Sequence, residues 1–346
     1  MKLQFVPYHL QLKHPFRLAT GSRTSTPTVQ VRLVENGIFG YGEASMPPYL
    51  GESLDSVSQF LSGIDSSDWN LDNLSQILES LDSISDHDNA AKASIDIALH
   101  DLKAKSQAIT TRELLGIHAS ETPITAFTIG MGSKDELRVK VQEAAHFHQL
   151  KIKLGGPDDK EKITFLRSLT DKPFILDANQ GWLDEKTALN YLDFMSTKNV
   201  LLVEQPLPVN TPPEIWKRLK EKSSLPIFAD ESIKRLSDLH QIEELFHGVN
   251  IKLMKSTGLS EALKMLQLCK NLGLGTMIGC MTESSCAILA AAQIAPLADF
   301  IDLDGPFLIT NNPFETPTVI DGKLQLKKEH GNGAIPIENI YPLENQ

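Results

Sequence analysis

Cysteine is scarce in this 346-residue chain: Cys269, Cys280 and Cys286 are too few and too scattered for a disulfide framework. No Cys-x-x-Cys pair occurs, so a thiolate zinc site is excluded as well. Long apolar runs are also missing. The longest, Cys286 to Ala298, is interrupted by Gln293 and Pro296 and falls short of the roughly 20 residues a membrane helix needs. The first residues, Met1 to Pro7, lack the apolar core of a signal peptide. Positive charge is in deficit, with 33 Lys and Arg against 44 Asp and Glu for a net −11. Such a surface repels phosphate backbones and anionic lipids, which argues against nucleic acid and membrane as partners. A soluble protein of a reducing cytoplasm is expected, with assembly into a homo-oligomer left open.

What the sequence does have is a rhythm. Apolar runs end in polar residues at Ile124–Gly130, Leu150–Leu154, Pro173–Asn179, Val200–Gln205, Pro226–Glu231, Val249–Lys255, Gly275–Met281 and Asp299–Asp304. Five successive run ends, Lys153, Asp177, Glu204, Asp230 and Lys255, are separated by 24, 27, 26 and 25 residues. That spacing holds one strand, one helix and two loops. Between runs, Leu259, Ala262, Leu263 and Leu266 keep the apolar spacing of a helix packed on a sheet. Eight such units without a glycine-rich nucleotide loop predict a parallel α/β barrel over 119–305. Residues 1–118 read differently. Strand-like runs at Lys2–Leu12, Thr28–Val34 and Phe39–Ala44 precede helical segments at Leu54–Leu61, Leu71–Leu81 and Asn89–Lys105, an α+β arrangement. The proline-rich tail, 306–346, is expected to return and complete that first unit.

Active sites of such barrels form at the C-terminal strand ends, and here those ends are ionisable. Asp177, Glu204 and Asp230 come from three consecutive strands, about 4.8 Å apart, so their carboxylates converge and repel unless a cation joins them. All-oxygen ligands select a hard ion, Mg²⁺, one per chain. Lys151 and Lys153 are two apart, so both enter the barrel, and each is expected to depress the other's pKa toward that of a base. Lys255 lies across the mouth from Lys153. Lys252 competes with Lys255, since strict alternation turns only one inward; Lys255 is preferred because Ser256-Thr257-Gly258 marks the loop. Glu231 is expected on the other face. A hard ion between two lysines suits removal of a proton α to a carboxylate, with the metal stabilising the enolate and the second lysine returning a proton to the opposite face. Enolase-type sites that pair a lysine or histidine base with Mg²⁺ are an established pattern of this kind. His146 and His148 read as surface residues, and Gly155-Gly156-Pro157 as a turn.

In this set the chain resembles the enolase superfamily and, within it, the muconate-lactonising subgroup. The resemblance rests on Lys151-Ile152-Lys153, Asp177-Ala178-Asn179, Val203-Glu204-Gln205-Pro206, Ala229-Asp230-Glu231-Ser232, Lys255-Ser256-Thr257-Gly258 and the helix Ser94–Lys103, in order across nearly the whole chain. It implies a modified (β/α)7β TIM-like barrel with an N-terminal α+β capping domain, Mg²⁺ on Asp177, Glu204 and Asp230, and acid–base roles for Lys153 and Lys255. Asp302-Leu303-Asp304 and Gly279–Ser284 look like the dipeptide epimerases of that subgroup. Two aspartates facing one way suit a substrate ammonium group, which a dipeptide carries at a distance from its C-terminal carboxylate. The same resemblance implies substrate contacts at Thr128, Cys280 and Thr282, and a lid at Pro15–Ser25. Members acting on alanyl-glutamate are expected to place a cation in that lid. Arg17 and Arg23 lie there, with Arg23 the expected contact, but Gly21-Ser22 at the contact region leans toward an apolar substrate side chain. The expected activity is Mg-dependent epimerisation of dipeptides at the C-terminal α-carbon. N-acylamino-acid racemisation and o-succinylbenzoate synthesis are the enzymatic alternatives, and a catalytically inactive scaffold barrel the non-enzymatic one.

Overall fold

The computed structural model describes residues 1–18, 21–46 and 50–341. The chain begins with an antiparallel sheet of order β1-β2-β3, formed by β1 (Lys2–Leu18), β2 (Gly21–Glu35) and β3 (Ile38–Ser45). The first two strands run well past the ends expected at Leu12 and Thr28. Pairing resumes beyond an irregularity between Gln11 and Phe16, with Phe16 opposite Arg23 and Arg17 opposite Ser22. The irregularity sets Leu12 to Pro15 against Thr24 alone, and Pro15, which has no N–H to donate, reads as loop. The lid expected at Pro15–Ser25 is the tip of this hairpin, and its Ala19 and Thr20 lie outside the described residues.

Four helices follow: α1 (Leu54–Ser62), α2 (Leu74–Ile84), α3 (Asn89–Ser106) and the single turn α4 (Thr111–Leu114). Ser53 starts α1 by accepting from Ser56 N while its own N–H donates to Ser56 Oγ. The alanine-rich α3 lies flat on the sheet. A Cβ at Gly40 or Gly42 would fall onto the carbonyls of Ala98 or Ser94, so only glycine permits this approach.

All eight apolar runs form parallel strands: β4 (Ala126–Ile129), β5 (Gln149–Lys153), β6 (Phe174–Asp177), β7 (Val200–Glu204), β8 (Ile227–Ala229), β9 (Gly248–Lys252), β10 (Gly275–Gly279) and β11 (Phe300–Asp302). They pair in sequence order. A parallel bridge from Thr125 to Ile301 brings the last strand round to the first, and Leu303 N donates to Thr125 Oγ1 at 3.0 Å. Between strands lie α5 (Lys134–Glu143), α6 (Asp159–Arg167), α7 (Glu185–Ser196), α8 (Pro213–Lys222), α9 (Leu239–Ile242), α10 (Leu259–Leu272) and α11 (Ser285–Ile294). A 3₁₀ turn, Gly305–Phe307, follows β11 in place of a helix, giving the (β/α)7β barrel.

Strand periodicity decides what fills it. Ala126, Ile175, Leu202, Phe228 and Met277 form a buried apolar layer inside, while Leu176, Val203 and Ala229 face the helices in the main core. One period further along three strands, Ile175 gives way to Asp177, Leu202 to Glu204 and Phe228 to Asp230. The barrel is thus plugged with hydrocarbon below and charged above. From the tail, Phe314, Ala334 and Tyr341 pack with Tyr41, Cys286 and Leu289; residues 342–346 lie outside the described residues. Among the described residues no helix is long and apolar enough to cross a membrane.

Candidate active site

Register sets the site. Lys153 lies beside Asp177, and Asp177 beside Glu204, on neighbouring strands; Asp230 follows the end of β8. Asp177, Glu204 and Asp230 are buried, and each offers an oxygen within 4.8 Å of the others. They form the cluster of acidic groups among the described residues that could hold a metal ion. Their protonation differs with their neighbours. Burial pushes the Glu204 carboxyl up to about 7, against the pull of Lys151. At Asp177 burial is outweighed by Lys153 and Lys151, and at Asp230 by Lys252 and Lys255, so both carboxyls are held below the usual range.

Lys151 reaches Asp302 Oδ2 at 2.6 Å, Glu204 Oε2 at 3.0 Å and Asp177 Oδ2 at 3.4 Å. Although burial opposes its charge, Asp302, Glu204, Asp177 and Asp230 hold its ammonium well above the usual lysine range. The expected depression by Lys153 is therefore corrected, because four carboxylates outweigh one neighbouring ammonium. Lys153 Nζ sits 2.7 Å from Asp177 Oδ2 and faces the Phe16 ring of the lid hairpin.

The expectation that only one of Lys252 and Lys255 turns inward is corrected too. Strand β9 ends at Lys252, whose Nζ lies 2.7 Å from Asp230 Oδ2 on the wall of the site cavity. The chain then turns: Lys255 N and Ser256 N both donate to the Lys252 carbonyl, at 2.9 and 3.2 Å. This turn carries Lys255 beneath Asp230, where its ammonium donates to Asp230 Oδ1 at 2.6 Å, Asp230 O at 2.6 Å and Asn250 O at 3.0 Å. Alternation governs only residues within a strand, so both lysines converge on Asp230. Lys252 faces the cavity, and Lys255, 1% exposed, lies behind it.

The cavity, about 500 Å³, is lined by Lys151, Lys153, Lys252 and Asp230 below, and by Phe16, Gly21, Ser22 and Arg23 of the lid hairpin. Its remaining wall includes Thr128, Cys280, Met281, Thr282, Asp302, Asp304 and Leu308. Asp304 Oδ2 accepts from Thr128 N at 2.6 Å. Asp302 Oδ1 accepts no hydrogen bond among the described residues, though buried. Burial holds both carboxyls above the usual range, with Lys151 opposing at each. The Cys280 thiol, 4.0 Å from Asp304 Oδ1, is pushed well above its usual value by burial and then by Asp304, Glu283 and Asp302, so it stays protonated. Arg23 Nη2 donates to Thr282 Oγ1 at 3.1 Å and its guanidinium stacks on Phe16. Arg17 is instead paired with Glu136 of α5 at 2.6 Å. Glu231 lies off the cavity wall, with Asn179 Nδ2 3.5 Å from its Oε1; burial, then Asp230 and Asp177, push its carboxyl up to about 7. His146 and His148 are exposed, and the 155–157 turn is tied down by Asp159, which accepts from Gly155 N and Gly156 N.

Sequence reasoning passed over Asn250, Asn179 and Phe16. Asn250 donates to Glu204 Oε2 at 2.7 Å from the floor of the site. Its spacing of two from Lys252 on one strand was the available signal for both residues.

An eight-stranded barrel with a carboxylate from each of three successive strand ends and lysines facing them defines the enolase class. The chain belongs to the mandelate racemase and muconate lactonizing enzyme family. The model of that family's N-terminal domain matches residues 2–116, and the enolase C-terminal domain-like model matches 135–339. An L-Ala-D/L-Glu epimerase of Bacteroides thetaiotaomicron is 47% identical over 340 residues, covering 97% of this chain and 88% of its own. Among solved structures, a substrate-liganded L-Ala-D/L-Glu epimerase from Bacillus subtilis superposes with a TM-score of 0.90 at 26% identity, covering 99% of both chains. A dipeptide epimerase of Enterococcus faecalis, complexed with Mg and L-Leu-L-Tyr, gives 0.88 at 31% identity over 96% of this chain and 98% of its own.

Proposed function

We propose that this protein is a Mg²⁺-dependent dipeptide epimerase that inverts the α-carbon of the C-terminal residue and favours an acidic side chain there. The observation that carries the reading is the placement of Lys153 on β5 and Lys252 at the end of β9, four strands apart in an eight-stranded barrel, with Asp177, Glu204 and Asp230 in the arc between them. Lysines so placed address opposite faces of one carbon.

The three carboxylates fit a hard divalent ion. All donors are oxygen, all three side chains are buried, and an oxygen of each lies within 4.8 Å of the others. Such an ion, when bound, acts as a Lewis acid toward the substrate carboxylate and acidifies the neighbouring α-proton. One lysine, as the amine, takes that proton from its face. The C–H electron pair passes into the adjoining carboxylate, and the opposite lysine, as the ammonium, gives a proton to the other face. One C–H bond breaks and another forms, without oxidation or reduction. Lys153 and Lys252 take the place of the Lys153 and Lys255 pair, because Lys255 is held behind the wall. Lys151, bound to three carboxylates, neutralises and orients them.

Asp302 and Asp304 receive the substrate's N-terminal ammonium group; the unbonded Asp302 Oδ1 supports this. An N-acylated amino acid carries no such charge and would leave the buried Asp302 Oδ1 without a donor, which disfavours the racemase and synthase alternatives. The guanidinium of Arg23 on the cavity wall favours an acidic side chain over the apolar one suggested by Gly21 and Ser22. The 47% identity to a relative named L-Ala-D/L-Glu epimerase points the same way.

The test is incubation with Mg²⁺ in D₂O and a dipeptide library, following deuterium at the C-terminal α-carbon by mass spectrometry. Exchange is expected with L-Ala-L-Glu and L-Ala-D-Glu above other dipeptides. Exchange with N-acyl amino acids but with no dipeptide would overturn the reading.

A further inference from the structure

The turn that follows Lys252 is held from outside the barrel. Its inner bonds fix the strand end: the Lys252 carbonyl accepts from Lys255 N, Ser256 N and Ser256 Oγ, and Gly258 N donates to Leu253 O at 3.0 Å. Its outer side rests on α3, the helix that lies on the N-terminal sheet. Asn89, at the start of α3, donates through Nδ2 to the Lys255 carbonyl at 3.0 Å. Two turns on, Asp96 caps the barrel helix α10. Its Oδ2 accepts from Leu259 N at 2.5 Å and its Oδ1 from Ser260 Oγ at 2.7 Å. Asp96 is fully buried. The fit leaves no slack at Gly258, which has φ +113° and where a Cβ would collide with the Asp96 carboxylate.

These contacts bracket the turn at residues 255 and 258–260, with Lys252 immediately before it. No such clamp from α3 reaches Lys153, four strands away, among the described hydrogen bonds.

We propose that Asn89 and Asp96 are positioning residues for Lys252: they hold the 253–258 turn and so set where the base on one face of the substrate stands, leaving the base on the other face alone. A charge-assisted cap of this kind is a strong hydrogen bond, and misplacing a reacting group by about 1 Å costs on the order of 100-fold in rate. The N-terminal unit, through α3, thereby tunes one half of a two-sided reaction. This rests on the assignment of Lys252 as a base.

The test compares α-proton exchange in D₂O, started from each epimer separately, for Asp96→Ala, Asp96→Asn and Asn89→Ala. Lys252→Ala serves as reference, and Ile77→Ala, which loosens the packing of α2, as a control for general destabilisation. Lys252→Ala is expected to abolish exchange from one epimer and spare the other. Asp96→Ala should lower exchange from that same epimer about 100-fold, with the other changed less than threefold; Asn89→Ala should show the same asymmetry more weakly. Asp96→Asn keeps an acceptor oxygen and should recover most of the loss. Equal loss from both epimers in the Asp96 and Asn89 variants, as in Ile77→Ala, overturns the clamp while Lys252→Ala remains asymmetric. Symmetric behaviour of Lys252→Ala itself overturns the base assignment instead. If Asp96→Ala does not fold, Asn89→Ala decides: no asymmetry there refutes the proposal.

Discussion

Replacing Lys151 by methionine tests the electrostatics of the site most severely. The side chain is 1% exposed, and its ammonium stands 2.6 Å from Asp302, 2.9 Å from Glu204 and 3.4 Å from Asp177. Methionine keeps much of the volume, so the loss is one of charge rather than packing. Asp177 retains Lys153, and Glu204 retains the amide of Asn250, which leaves Asp302 as the carboxylate most exposed to the change. Removing one partner of a buried pair costs about 3–5 kcal/mol, and that is the expected loss for the metal-free variant. Saturating Mg²⁺ at about 100 times Kd adds about 2.7 kcal/mol to any protein that binds it only when folded. Positive charge among the same carboxylates should restore more than this to Lys151→Met, because the ion stands in for the missing ammonium. The assay is urea unfolding in EDTA and in Mg²⁺, for both proteins. A metal-free loss below about 1 kcal/mol, or the same Mg²⁺ increment in both, would refute the account of Lys151 as counter-charge to the carboxylates.

Three further outcomes are expected. Arg23→Met should raise KM for alanyl-glutamate more than about tenfold, the worth of one charge-assisted contact, while KM for an alanyl dipeptide with an apolar C-terminal residue changes little; parallel rises in both would remove Arg23 from side-chain recognition. Asp304→Asn should weaken dipeptide turnover far more than Mg²⁺ affinity measured by calorimetry, and equal loss of both would count against an ammonium role. His100 gives a pH signature. Burial pulls its pKa down, but the Asp96 carboxylate beside it prevails and leaves it above 6.5. The stabilisation it brings is then present below about pH 6.5 and lost as pH rises through the higher folded value. His100→Gln should therefore destabilise more at pH 6 than at pH 9, and the reverse order would exclude the pairing.

The barrel was legible in the sequence because strand, loop and helix recur at a nearly constant length, and the three carboxylates because each closes an apolar run of fixed depth. That Lys252 rather than Lys255 lines the cavity was hidden for a physical reason. An apolar run does not reveal where a strand stops pairing, and Leu253-Met254 continue the composition of β9 after its hydrogen bonds have ended at Lys252. Counting to the end of the run gave Lys255; counting in twos from Asn250 gives Lys252. The lid hairpin was read too short because Pro15 and Gly21 carry loop chemistry, and a bulge that re-registers two strands has no local signature. The division of labour between Arg17 and Arg23 depends on Glu136, more than 100 residues away in sequence, and no reading of the lid alone contains it.

The central claim is that Lys153 and Lys252 work opposite faces of one α-carbon. The most direct measurement is α-proton exchange in D₂O from each alanyl-glutamate epimer in turn, with Lys153→Ala and Lys252→Ala. Each variant should lose epimerisation yet keep exchange from one epimer, and the two should keep opposite ones. Retention of the same epimer by both, or full two-sided exchange in Lys252→Ala with asymmetry appearing in Lys255→Ala instead, would contradict it.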